Sequence, residues 1–107
     1  MKVVLKSGGG SASFEDFIVK LPAGATVFTE GDVGTEMFVI QSGSVEIAKR
    51  VKDGLKPLAV LEKGDFFGEM ALLDEFPERS ATATAVSSVE ALQLKSNDLD
   101  TLLRRKP

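Results

Sequence analysis

An all-β domain with short flanking helices is the fold class the sequence predicts, on three observations. Segments rich in Val, Ile, Phe and Thr recur along the chain. Glycine-containing punctuation separates them at intervals of about ten residues, the spacing of an all-β sandwich or barrel. The stretch "KDGLK" sets Asp53-Gly54 where a tight hairpin wants residues that tolerate positive φ, so the segments on either side should pair antiparallel.

Taken in order, residues 1–15, with "MKVVLKSGGGSAS", read as a flexible leader of small and polar residues, and residues 16–107 as one domain. Strands are predicted over Asp16–Leu21, Ala25–Thr29, Met37–Gln41, Ser44–Val51, Leu55–Leu61, Arg79–Ser87 and Val89–Lys95. Pro22, Gly24 and Gly31 supply chain reversals, and Gly43 interrupts what would otherwise be one long strand. Lys49, Arg50, Lys52 and Lys56 cluster at the hairpin and read most simply as a solvated tip. "TEGDVGTEM" at 29–37 and "EKGDFFGEM" at 62–70 share Gly-Asp and then Glu-Met at the same internal spacing. Either the two halves of a roll are built alike, or Gly-Asp suits two unrelated turns. The closing "SNDLDTLLRRKP" opens on capping residues, places Leu99, Leu102 and Leu103 at helical spacing and ends in basic residues, as a short, truncated C-terminal helix would.

Composition excludes several function classes. With 107 residues, 43% hydrophobic and 27% charged, the chain has the profile of one globular domain. A net charge of -3 and no dense Lys/Arg cluster argue against a nucleic-acid partner. No apolar run approaches the roughly 20 residues of a membrane span, and no secretory signal is visible, so the expected compartment is the cytoplasm. The chain has neither cysteine nor histidine, which removes disulfides, the usual zinc ligands and the Ser/His and Cys/His catalytic arrangements. Neither an enzyme nor a cofactor is expected.

The stretch "FGEMALLDEFPERSATATA" from residue 67 carries the chemistry. "EMALL" holds good helix formers, so a short helix should begin near Glu69. Its first turn would have N–H groups without internal partners and a partial positive charge, which attract an anion. Gly68 at the entry leaves that backbone open. Arg79 adds a planar fork suited to two phosphate oxygens and Ser80 a hydroxyl donor. Its charge-assisted hydrogen bonds are strong enough that losing Arg79 should weaken a bound phosphate about ten- to a hundredfold. Glu69 repels phosphate but accepts hydrogen bonds from a sugar hydroxyl, so a ribose phosphate would satisfy both charges. Ala81, Ala83 and Ala85 alternate with Ser80, Thr82 and Thr84, giving one methyl-bearing strand face with room for a flat ring. Two plainer readings stay open: Glu69 and Arg79 form a salt bridge that closes a charged loop, and the alanines face a tightly packed sheet.

The residues "FGEMALL" at 67–73, Pro77 and "RSATATA" at 79–85 resemble the phosphate-binding cassette of cyclic-nucleotide-binding domains. That family includes the bacterial catabolite activator protein, kinase regulatory subunits and cyclic-nucleotide-gated channels. The resemblance extends over "LPAGATVFTEGDVGTEMFVIQSGSVEI" at 21–47, and so from about Phe17 to Leu103. It implies an eight-stranded jelly roll, or double-stranded β-helix. By the same resemblance, Gly68 and Ala71 would offer N–H groups to the cyclic phosphate, Glu69 would bind the ribose 2'-hydroxyl, and Arg79 with Ser80 would hold phosphate oxygens. Ile47, Leu58, Leu61 and Ala81 fall where the family places apolar groups near the sugar and base. Serine after the arginine resembles the bacterial cAMP receptors, whereas threonine favours cGMP in some relatives, so the ligand expected is cAMP before cGMP.

Relatives commonly have helices before the roll and a long C-terminal helix that caps the base or forms a dimer. These 107 residues carry no helix-turn-helix region, kinase domain or channel segment. The expectation is a sensor whose effector domain, or second copy, is reached through the C-terminal helix. The alternative is a jelly-roll interaction module that has lost nucleotide affinity.

Overall fold

Four consecutive apolar residues, Met37 to Ile40, are all buried, which a strand achieves only when both faces of its sheet are covered. The computed structural model describes residues 14–69, 78–95 and 98, and among them this strand lies between two layers. Phe38 and Ile40 face inward with Val45, Phe67, Ala83, Ala85, Val89 and Ala91. Met37 and Val39 face the other way with Leu92 and Leu94, against Phe17, Ile18 and Phe66.

The strands are β1 (Ile18–Leu21), β2 (Thr26–Phe28), β3 (Met37–Ser42), β4 (Val45–Val51), β5 (Gly54–Leu61), β6 (Phe66–Phe67), β7 (Thr82–Ala85) and β8 (Val89–Leu94). They form two four-stranded sheets, ordered β1-β8-β3-β6 and β2-β7-β4-β5. The pairs β4/β5, β3/β6, β2/β7 and β1/β8 are all antiparallel. The chain is therefore one long hairpin, its tip at β4/β5, rolled so that successive pairs fall alternately in the two sheets. This is the jelly roll the sequence leads one to expect. Register at the tip, Val51 opposite Gly54, puts Lys52 and Asp53 in the turn and Gly54, at φ 136°, on the first residue of β5.

Gly43 stands where the chain leaves the first sheet at Ser42 for the second at Val45. Its φ is 87°, and a side chain there would run into the carbonyl of Ser88, so this corner requires glycine. The two Gly-Asp turns share one local structure. Gly31 and Gly64 have φ of 92° and 90°. The Asp32 carboxylate accepts the N–H of Thr29 at 3.0 Å, and that of Asp65 accepts the N–H of Glu62 at 2.9 Å. Each Asp N–H returns to the carbonyl of the same residue, Thr29 at 3.0 Å and Glu62 at 2.9 Å. The repeat in the sequence is thus a repeat in the fold.

Three details differ from the sequence expectation. Asp16 and Phe17 belong to a 3-10 turn over Phe14–Phe17 rather than to the first strand, because Phe17 packs against the outer apolar cluster instead of alternating along β1. Phe66–Phe67 is a strand too short to carry a periodic signal, fixed by pairing with Phe38 and Val39. β7 starts at Thr82 rather than Arg79, because the Arg79 backbone bonds to the first Gly-Asp turn instead: Arg79 N–H donates to Asp32 O at 2.7 Å, and Gly31 N–H to Arg79 O at 2.8 Å. The expected cassette helix and C-terminal helix lie outside the described residues, Glu69 and Asp98 apart, as do residues 1–13 of the leader. No helix among the described residues is long and apolar enough to cross a membrane.

Candidate functional site

Arg79 is the most deeply buried charged residue among those described, at 6% exposure. Burial lowers its pKa from the ordinary arginine value, an effect that the nearby Glu36 and Asp32 carboxylates oppose. The guanidinium is seated on three sides. Its Nη1 donates to the carbonyl of Gly68 at 3.2 Å and its Nη2 to the carbonyl of Glu36 at 2.8 Å. Its Cζ lies 4.2 Å from the centroid of the Phe28 ring, a cation–π distance. Phe28 is in turn fixed by Phe38 and Phe67, with centroids 6.1 and 5.8 Å away. Gly34 closes the third side, where a side chain would overlap the guanidinium.

The acidic partner of this guanidinium is Glu36, at 3.7 Å, and not Glu69. The simple Glu69–Arg79 salt bridge left open above is therefore not what closes the loop. Arg79 joins the two Gly-Asp units, through Glu36 at the end of one and Gly68 within the other. Its Nε is buried and makes no hydrogen bond to the described residues. Buried polar groups are nearly always paired, so an orphaned N–H on a permanent cation marks a place for an acceptor.

Arg79 lines a cavity of about 290 Å³, with Phe28, Ile47, Leu61, Gly68, Glu69, Ser80 and Ala81 together with Phe66, Phe67 and Glu78. That is near the lower end, roughly 300 Å³, for small-molecule sites. The lining combines charged and polar residues with apolar ones, as a ligand with an anionic head and a flat apolar body requires. Gly68, at φ 78°, is held to glycine by that conformation. A side chain there would also come within 2.9 Å of Arg79 Nη1.

The structure thus brings together Gly68, Glu69, Arg79, Ser80, Ile47, Leu61 and Ala81. It does not bring Leu58, which is 54% exposed, because β5 is the exposed edge of its sheet and a residue three places from Leu61 falls on the opposite strand face. Ala71 lies outside the described residues. The alanine face divides: Ala83 and Ala85 are packed in the core between the sheets, as the plainer reading has it, and Ala81 reaches the cavity. Sequence reasoning missed Phe28 and Glu36. The Glu-Met match between the two repeats was the available signal for Glu36, since it sets Glu36 in register with Glu69. Among the described residues, no group of three or more Asp or Glu side chains is placed to hold a metal ion.

Residues 18–106 match the family model of the cyclic nucleotide-binding domain. The chain belongs to that family. It is 42% identical over 87 residues to a cyclic AMP receptor protein of Thermus thermophilus, a match spanning 80% of this chain and 40% of the relative. A cAMP-dependent protein kinase regulatory subunit of Yarrowia lipolytica is 38% identical over 80 residues, spanning 75% of this chain and 20% of that one. Among solved structures, the EAL enzyme Bd1971 in its cAMP-bound form superposes with a TM-score of 0.71 at 32% identity, covering 77% of this chain and 22% of that one. Its cGMP-bound form superposes equally well. The chain spans 40% or less of the length of these relatives.

Proposed function

We propose that this domain is a cyclic-nucleotide sensor that takes cAMP in preference to cGMP. The observation that carries the reading is the buried Arg79 guanidinium on the wall of the cavity, whose Nε has no hydrogen-bond partner among the described residues. A cyclic phosphate oxygen would accept from the Arg79 guanidinium and from the Ser80 hydroxyl, with Gly68 and Ala71 N–H groups completing the anion site at the helix entry. Glu69, on the cavity wall without an ion pair to Arg79, is free to accept from the ribose 2'-hydroxyl. Ile47, Leu61 and Ala81 would flank sugar and base. Serine at position 80 and relatives named for cAMP support that base, and the structure solved with both nucleotides sets cGMP as the competitor. The output is regulatory rather than catalytic, delivered in the cytoplasm to an effector domain or second copy through the C-terminal segment. Ligand drives that output only by binding one arrangement of the segment more tightly than the other.

A second reading, an interaction module indifferent to nucleotide, is favoured by the exposed apolar residues Leu55, Leu58 and Val60 of β5. Calorimetry and thermal melting with cAMP, cGMP and AMP, on this chain and on Arg79→Ala, distinguish the two. Stabilisation by cAMP above cGMP, absent with AMP and lost in the variant, is the expected result. No heat from either cyclic nucleotide at millimolar concentration would overturn the sensor and leave the interaction module.

A further inference from the structure

The basic hairpin tip holds a residue that the nucleotide site does not use directly. Lys49 Nζ donates to the carbonyl of Ser80 at 2.8 Å and lies 3.7 Å from Glu30 Oε2. Glu30 Oε1 accepts the N–H of Arg50 at 2.7 Å, and the Glu30 N–H donates to Thr82 Oγ1 at 2.9 Å. The four basic residues of the tip are exposed, as expected, and within that solvated tip Lys49 is tied to the neighbouring strand. Surface ion pairs alone contribute little, but this one is aimed at a main-chain carbonyl of a cavity-lining residue. The backbone just before Ser80 is held as well, by the bonds between Arg79 and the 31–32 turn. No peptide bond among the described residues is cis. With the Ser80 carbonyl turned onto Lys49, the N–H of Ala81 therefore faces the opposite way. That peptide joins Ser80 and Ala81, both on the cavity wall.

We propose that Lys49, steadied by Glu30, is a positioning residue for the anion site: it fixes the Ser80–Ala81 peptide so that the Arg79–Ser80 segment meets the phosphate already ordered. This rests on the nucleotide reading above. Lys49 itself does not line the cavity, so its effect on affinity passes through the geometry of Ser80. The Glu30 carboxylate, held below its ordinary pKa first by the Arg50 N–H and further by the Lys49 and Arg50 charges, stays ionised and keeps Lys49 in place at neutral pH.

The test compares Lys49→Met, Lys49→Arg and Glu30→Gln in the full chain, reading cAMP affinity by calorimetry and ligand-free amide exchange over residues 79–82. Lys49→Met should weaken cAMP about three- to tenfold, the size of one lost hydrogen bond, and speed exchange across that segment. Lys49→Arg should restore most of the affinity, and Glu30→Gln should show a smaller loss. Affinity and exchange unchanged in Lys49→Met, or an arginine variant no better than methionine, would overturn the proposal. If the unmutated chain binds no cyclic nucleotide, the sensor reading fails by itself. The exchange arm then decides whether Lys49 orders the segment, and unchanged protection at 79–82 rejects it.

Discussion

Compared residue for residue, the Gly-Asp turns at 31–32 and 64–65 share a glycine φ near 90° and an Asp carboxylate bonded back to the N–H three residues earlier. Beyond the turns the two units part. The first runs through Glu36 into β3, and Glu36 gives its carbonyl and carboxylate to Arg79. The second runs through the short β6 to Gly68, whose carbonyl goes to Arg79, and leaves Glu69 on the cavity wall. The same local chemistry builds a clamp in one unit and an opening in the other. A turn is fixed by its own residues, and its use is fixed by what packs against it.

The largest effect expected from breaking this comparison is at Gly68. Gly68→Val should cost about 3 kcal/mol in urea unfolding, because it combines positive φ with β-branching and crowds Arg79. Gly31→Ala, at a similar φ but with open space around it, should cost only about 1 kcal/mol. Equal losses would show that crowding at Arg79 is not what separates the two sites. Next come the paired acids. Glu69→Gln should weaken cAMP by about tenfold, as loss of a charge-assisted hydrogen bond does, while leaving the ligand-free melting temperature unchanged. Glu36→Gln should lower that temperature and affect binding less, and calorimetry with melting curves checks both.

Smaller losses should come from the turn carboxylates. Asp32→Ala and Asp65→Ala each break the carboxylate bond to the main-chain N–H of the turn, a loss of about 1 kcal/mol. Asp32→Ala should also weaken cAMP, since its turn bonds the Arg79 backbone. The least effect is a pH dependence. The pKa of Glu30 is lowered from the ordinary value of 4.5, so its contribution is present above that value and fades as pH falls through the lowered one. Acid titration of Glu30→Gln should therefore show a shallower loss of stability below pH 4.5 than the unmutated chain.

Much of this was legible in the residues. The "KDG" tip, the corner at Gly43 and the alternation in β7 and β8 each depend on short-range geometry, which neighbouring residues dictate. That Gly68, Glu69, Arg79 and Ser80 would meet was legible because they lie close in the chain, and they line one cavity. Phe28 and Glu36 were not, since they reach Arg79 across the roll from positions 51 and 43 residues away in number. Leu58 was misplaced because which strand lies at the exposed edge of its sheet is settled by strand order, which the sequence does not mark.

By itself the sequence determined the turns, the strand alternation and which residue types have the chemistry to meet an anion, because backbone preferences and side-chain chemistry are local properties. The tertiary structure alone decided that Arg79 is seated by the carbonyls of Glu36 and Gly68 over Phe28, that its Nε lacks a partner among the described residues, and that Lys49 reaches Ser80. Those facts depend on which strands pair and in what register, and pairing is settled by burial of the whole core rather than by any one segment.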